Sequence, residues 1–310
     1  MLLNQCGDRI AGNGLNNSVY AAWLERNCGW GTFGDFSGGW SQYNVGTDIN
    51  LSSLSAIGGI SRCLRWDSCR LTSGLFLEYG NGSYDSTRSF YDAAPVKSNG
   101  TLDHIGGGVL WRWDFGSGFD NHFSNDFALS RFYIDGSFRM GNLHNKFSSD
   151  LCDSLGTAAG FNATSMYYGA HIGGGRTWQF TNNGFDLYAK YFWSQIRGDS
   201  VLLTTGELVD FENVNSRRLR FGGRYNFGVN SRLTPYLGAA LEHEYAGLAR
   251  ASTNGYGMTA PSLYGDTGIG EIGIALKPAT RHGFYADIGV QAYTGKRDGV
   301  TGGLFIGRSF

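Results

Sequence analysis

The sequence predicts an all-β chain, a 12-stranded antiparallel transmembrane β-barrel. Three observations lead there. The composition is rich in glycine and aromatic residues and poor in charge. Apolar and polar residues alternate with period two along most of the chain. Long and short connections take turns between the alternating segments.

Glycine accounts for 49 of 310 residues, about twice the usual ~7%. Aromatics are 15% and charged residues 16%, the latter well under the ~25% of an ordinary soluble domain. Only four prolines occur, which excludes collagen and Pro-rich disordered chains. No stretch reaches the ~18 consecutive apolar residues of a membrane-spanning helix. The glycine content argues against an all-helical protein. A net charge of -1 argues against a nucleic-acid partner, which calls for a basic excess. A β-barrel, soluble or in the outer membrane, is the class that remains.

The opening residues, MLLNQCGDRIAGNG, carry neither the basic n-region nor the apolar h-region of a secretory signal. That is expected of a cytosolic chain or of a fragment from a longer exported precursor. LNNSVYAAWLERN then offers Asn17 or Ser18 as an N-cap, with Val19, Tyr20 and Trp23 at helical spacing and Gly29 as a stop. A short N-terminal helix is the reading.

From there the period is two. Strands are expected to start near Trp30, Ser53, Leu71, Asp103, Phe127, Met166, Phe185, Arg217, Leu233, Thr267, Phe284 and Val300. FYADIGVQAYT sets Phe284, Ala286, Ile288 and Val290 against Tyr285, Asp287 and Gln291. RRLRFGGRYNF sets Leu219, Phe221, Tyr225 and Phe227 against Arg218, Arg220 and Arg224. Alternation alone fits a soluble barrel as well as a lipid-facing one. Aromatic position favours the lipid-facing one: Trp113, Phe185, Trp193, Phe227, Tyr245, Phe284 and Phe310 fall at or near strand ends, where interfacial girdles sit. Long loops are expected over 81–100, 142–163, 195–215 and 246–261. Tight turns lie between them, the arrangement of external loops and periplasmic turns. The final segment, VTGGLFIGRSF, places Leu304, Ile306 and Phe310 on one face, a strand anchored by barrel closure.

A short helix followed by twelve strands with alternating connections resembles the autotransporter translocator domain of type V secretion, over essentially the whole chain from about Leu15. Its most recognisable stretch is Arg217 to Gly247, with a "tPY" entry at Thr234, Pro235 and Tyr236 and a "HE-aromatic" exit at His243, Glu244 and Tyr245. LNNSVYAAW looks like the opening of the family's pore helix. Arg308 stands where such terminal strands usually carry an apolar or aromatic residue, and five cysteines are more than the family generally carries. The resemblance implies a linker and pore helix over 1–29, with the helix in the lumen, and a barrel over 30–310. It also implies a bacterial outer-membrane location and export of an upstream passenger of the same precursor. Leu304, Ile306 and Phe310 would form the signal read by the barrel-assembly machinery, with periplasmic chaperones as further partners and membrane lipid around the wall. Some members cleave between two linker Asn residues, which marks Asn16 and Asn17. An ordinary helix cap explains that pair more simply.

Within the lumen, a short turn near Asn230 would put Arg218 opposite Glu242, and a salt-bridge ladder is expected there with Arg220, Arg224 and Glu244. Glu78, Asp135, Arg139, Lys190, Glu271 and Asp287 are expected to face inward too. They would either grip the plug helix or simply satisfy one another. Cys63 and Cys69 flank a short turn, and a hairpin disulfide fits an oxidising periplasm. Cysteine spacings do not read as a zinc site. No G-x-S-x-G frames a serine, and the IGGG segments at Ile105 and Ile172 lie in strand patterns rather than phosphate loops. No catalytic residue, metal or cofactor is expected. The rivals are a porin-like channel, an outer-membrane hydrolase and a soluble ligand-carrying barrel.

Overall fold

The computed structural model describes residues 28–66, 68–115, 129–278 and 283–310. The opening helix and the Asn16–Asn17 pair lie outside these residues. The barrel strands are β1 (Trp30–Asn44), β2 (Asp48–Arg65), β3 (Cys69–Phe90), β4 (Ala93–Phe115), β5 (Leu129–Cys152), β6 (Ala158–Phe180), β7 (Asn183–Ile196), β10 (Val214–Asn226), β11 (Leu233–Glu244), β14 (Gly265–Leu276), β15 (Phe284–Gly295) and β16 (Arg297–Ser309). These twelve pair with their neighbours, and β16 returns to β1 to close the ring. The closing seam is antiparallel and runs from Gly31 opposite Ser309 to Tyr43 opposite Arg297. Closure leaves no sheet edge, which a strand-built membrane protein requires.

The alternation in the sequence becomes the two faces of the wall. Leu75, Leu77, Ile105, Phe221, Leu241, Ile272 and Ile288 stand exposed on the outside. Glu78, Arg139, Arg218, Arg220 and Asp287 are buried on the inside. In water this would be an inverted molecule. With hydrocarbon outside, both faces are satisfied.

The expected long loops are largely strand. β3 to β6 are 22 to 24 residues long, about twice the ~9–11 that a tilted strand needs to cross a bilayer. The surplus forms tall hairpins at the end of the barrel away from Phe310. The strands therefore begin earlier than expected at Asp48, Ala93 and Ala158. Above the bilayer the outward positions become polar, as at Lys97, Thr101 and Asp103, so the apolar period that marks a strand disappears while the pairing continues. The two remaining loops carry β8 (Ser200–Leu202), β9 (Leu208–Phe211), β12 (Ala251–Thr253) and β13 (Tyr256–Gly257). They associate as a separate sheet in the order β13-β12-β9-β8. Asn254 (φ 51°) and Gly255 (φ 80°), both left-handed, close the last of these hairpins with the favoured two-residue turn.

The interior is not uniformly polar. Phe33, Ile57, Phe76, Leu110, Tyr285 and Phe305 form a buried cluster on the inner wall. A second apolar group, Tyr43, Val45 and Leu51, meets Leu263 from the 245–264 loop at the tall end. Beside it, Leu51, Leu102, Leu143, Phe161 and Val201 line a cavity of about 280 Å³.

Candidate functional site: the barrel lumen

Charged side chains occupy inward positions on most strands, and the register decides which of them meet. Arg220 lies opposite Glu242, and its Nη2 is 2.7 Å from Glu242 Oε2. Arg218 lies opposite Glu244, not Glu242. The turn over 227–232 leads into a register centred on Ser231, one residue later than Asn230, which shifts the partner by two. It contains Gly228 (φ 62°) and a hydrogen bond from the Ser231 amide to the Gly228 carbonyl of 2.8 Å. Arg218 still reaches Glu242 diagonally, Nη1 to Oε1 at 3.2 Å. Glu244 instead accepts the Ser216 hydroxyl at 2.5 Å and the Arg217 amide at 2.7 Å.

Two like charges face each other directly, Lys190 opposite Arg220. Each is taken by a carboxylate on its far side. Lys190 Nζ lies 3.2 Å from Asp135 Oδ2, and the strand between them contributes Gly173 at the matching position. A β-carbon there would approach Lys190 Cγ to 2.7 Å and Asp135 Oδ1 to 2.8 Å. Arg224 meets Glu271 in the same way at 2.6 Å, across Gly238. Each inward glycine leaves a gap through which an ion pair spans two inter-strand spacings.

The other expected residues join similar groups. Glu78 takes Arg139 at 3.1 Å and the Tyr167 hydroxyl at 2.6 Å. Asp287 accepts from Tyr236 at 2.8 Å and Tyr285 at 3.2 Å. The structure adds a network the sequence does not pick out: Arg70 and Arg112 share Asp114 at 2.8 and 2.9 Å. Tyr133 donates to Asp186 at 3.1 Å. Strand parity already puts Arg112 and Asp186 on the polar face. Which carboxylate each cation meets depends on register and on the glycines between strands.

Ser137, His171 and Asp135 form a hydrogen-bonded series, 2.6 Å from Ser137 Oγ to His171 Nδ1 and 3.2 Å from His171 Nε2 to Asp135 Oδ1. The order is that of a nucleophile, base and orienting acid. All three are buried, and Asp135 also neutralises Lys190, so the geometry is that of a wall-bracing network. Among the described residues no three His, Cys, Asp or Glu side chains converge as metal ligands.

Cys63 is bonded to Cys28 and not to Cys69, which is a free thiol, as is the exposed Cys152. The hairpin register explains the correction. Cys63 lies opposite Thr72, and Cys69 is three residues further along on the other face of β3. Cys63 is buried on the inner wall. The bond therefore holds the residue just ahead of β1 inside the mouth at the short-turn end. At the same end Leu304 and Ile306 lie half-buried on the outer face of β16, and Phe310 is exposed.

Outside the tall end of the bilayer, burial pushes the Tyr84 phenol up to about 12, against its hydrogen bond to Asn145. In the β5–β6 turn, backbone hydrogen bonds from Thr157 and Leu155 hold the Asp153 carboxyl below its ordinary value.

This barrel has known counterparts. The transport unit of the autotransporter AIDA-I from Escherichia coli is similar at 16% identity, with 90% of each chain covered and a TM-score of 0.68. The translocator domain of the autotransporter NalP from Neisseria meningitidis is similar at 12% identity, covering 99% of this chain and 96% of that one, with a TM-score of 0.64. The β domain of the Bordetella autotransporter BrkA is similar at 14% identity, covering 91% and 99%, with a TM-score of 0.60. No curated protein matches the chain in sequence. The family model described as "Autotransporter beta-domain" matches residues 55–289. With that match over a closed twelve-stranded wall, apolar outside and charged within, the chain belongs to the autotransporter β-domain family, whose barrels sit in the outer membrane.

Proposed function

We propose that this chain is the membrane-embedded translocator and anchor of a type V secretion precursor, carrying an upstream passenger to the cell surface. One observation supports this reading above the rest. The disulfide from Cys28 to the inward-facing Cys63 ties Cys28 to the inner wall at the short-turn, periplasmic mouth. From there the route to the surface is the bore itself. In this reading residues 1–29 form a linker and pore helix in the lumen ahead of the barrel, 30–310. The ladder of Arg218, Arg220, Arg224, Glu242, Glu244 and Glu271, with Glu78, Asp135, Arg139, Lys190 and Asp287, gives that segment a hydrated polar wall of matched charge.

The chain performs no chemistry of its own and takes no cofactor, and Asn16–Asn17 caps the helix. Periplasmic chaperones hold the unfolded strands. The barrel-assembly machinery reads Leu304, Ile306 and Phe310 at the end of β16. A porin-like channel would leave the bore open, and a barrel hydrolase would need an accessible nucleophile.

The test places a signal peptide and an epitope-tagged reporter ahead of Met1 and expresses the fusion in a Gram-negative host. The expected result is a reporter that antibody and added protease reach on intact cells. A reporter that stays periplasmic while the barrel is folded in the outer membrane overturns the reading.

A further inference from the structure

Among the described residues, a single cross-strand device recurs three times on the outer wall near its short-turn end. Arg62 on β2 lies opposite Trp30 on β1, with its guanidinium carbon 5.3 Å from the ring centre. Arg308 on β16 lies opposite Phe284 on β15, at 5.2 Å, with Phe310 at 5.8 Å. Arg176 on β6 lies opposite Phe132 on β5, at 4.7 Å, with Trp178 at 5.1 Å. Each arginine points outward by strand parity, and none lies more than four residues from the periplasmic end of its strand.

Their surroundings on the lipid face are apolar. Arg62 sits between Ile60 and Leu64, both exposed. Arg308 sits between Ile306 and Phe310, and Arg176 lies next to Trp178 on the same face, with exposed Phe180 beyond it. A guanidinium in such a belt is tolerated near the headgroups and poorly tolerated deeper. It extends its charged tip to the interface while its stem covers apolar wall. The aromatic face beneath it supplies a cation–π contact on one side. A guanidinium's N–H edge is a planar fork suited to phosphate oxygens.

We propose that Arg62, Arg176 and Arg308, each laid on a cross-strand aromatic ring, are clamps for phospholipid phosphodiesters of the periplasmic leaflet. The ring fixes the height and tilt of the guanidinium, so the clamps set how deeply the barrel sits. Arg308 and Arg62 flank β1, where Thr32 pairs with Arg308 and Trp30 with Arg62. Two clamps therefore straddle the closing seam, and bound lipid would brace the β1–β16 junction. This inference rests on the membrane placement of the wall. Failure of that placement would show separately, as a chain that folds without amphiphile.

The test uses the full chain refolded in a neutral maltoside detergent. Dioleoylphosphatidylglycerol, dioleoylglycerol with the same tails and no phosphate, and inorganic phosphate are each added. Lipid retention is read by native mass spectrometry and the unfolding midpoint by heating. The expected result is that wild type retains phosphatidylglycerol and unfolds at a higher temperature with it, while the other two additions do neither. Arg62→Gln, Arg176→Gln and Arg308→Gln together should weaken retention at least tenfold. The matching lysine triple should keep part of it, and Arg250→Gln, in a loop at the other end, should change nothing. If the triple fails to fold, Arg62→Gln and Arg308→Gln are read singly, each expected to lose one retained lipid. Unchanged retention in the glutamine variants overturns the proposal. So does equal binding of dioleoylglycerol, or an equal midpoint shift with phosphate alone.

Discussion

Arg224 reaches Glu271 across a strand that places no side chain between them. Nη2 and Oε1 are 2.6 Å apart, and Gly238 is in register with both. A β-carbon at that position would come within 3.0 Å of Glu271 Oε2. Gly238→Val should therefore part the pair and destabilise the barrel by about 3 kcal/mol, combining overpacking with a broken buried ion pair. Gly270, on the same sheet with nothing near its missing β-carbon, serves as control, and Gly270→Val should change little. Urea unfolding in lipid vesicles reads both.

Glu242 neutralises two arginines at once. Glu242→Gln should leave Arg218 and Arg220 with a neutral partner and cost about 3–5 kcal/mol. Adding Arg220→Leu removes one of the stranded charges and should recover part of the loss. Additive penalties in the double variant would show that the three side chains act independently.

Oxidised protein should yield a single linked peptide pair among the described cysteines, joining Cys28 to Cys63. Cys152, exposed, should take a maleimide without denaturation. Cys69→Ser should leave the bond intact, and Cys28→Ser should abolish it. The bond closes a loop with a sequence separation of 35, so reduction should cost about 4 kcal/mol on the chain-entropy estimate. A mapped Cys63–Cys69 peptide would contradict the observed register.

Asp153 Oδ1 accepts the amides of Leu155 and Thr157, both at 2.8 Å. Its folded pKa is depressed. The stabilisation is therefore complete above the ordinary value of ~3.9 and disappears as pH falls through the folded one. Protection factors of the Leu155 and Thr157 amides should hold down to about pH 4 and drop below it. Asp153→Asn should flatten that dependence. A wild-type profile that already declines between pH 7 and 5 would show that the carboxylate does not hold the turn.

Much of this architecture is legible in the sequence because a lipid-facing wall writes itself as period-two alternation. Phe284, Ile288 and Val290 set against Tyr285, Asp287 and Gln291 locate both the strand and its inside. Legibility fades where the physics changes. Above the bilayer, Lys97, Thr101 and Asp103 occupy outward positions, and the strand they belong to reads as loop. The lumen residues are legible by parity, but their partners are not. Arg218 meets Glu242 on a diagonal because the β10–β11 register is centred on Ser231, one residue later than Asn230. Asp135 finds Lys190 two strands away only because Gly173 leaves the gap. Cys28 lies far from Cys63 in sequence, and nothing local announces that these two bond.

The account depends on Leu75, Phe221, Leu241 and Ile272 facing hydrocarbon while Arg220, Glu242, Lys190 and Asp135 line the bore. The most direct measurement is refolding of the purified chain with and without phosphatidylcholine vesicles, followed by flotation and an alkaline carbonate wash. The account predicts a folded species that floats with the vesicles, survives the wash and runs at a heat-sensitive position on unboiled gels, with aggregation when lipid is omitted. A folded, monomeric and soluble chain in plain buffer would contradict it.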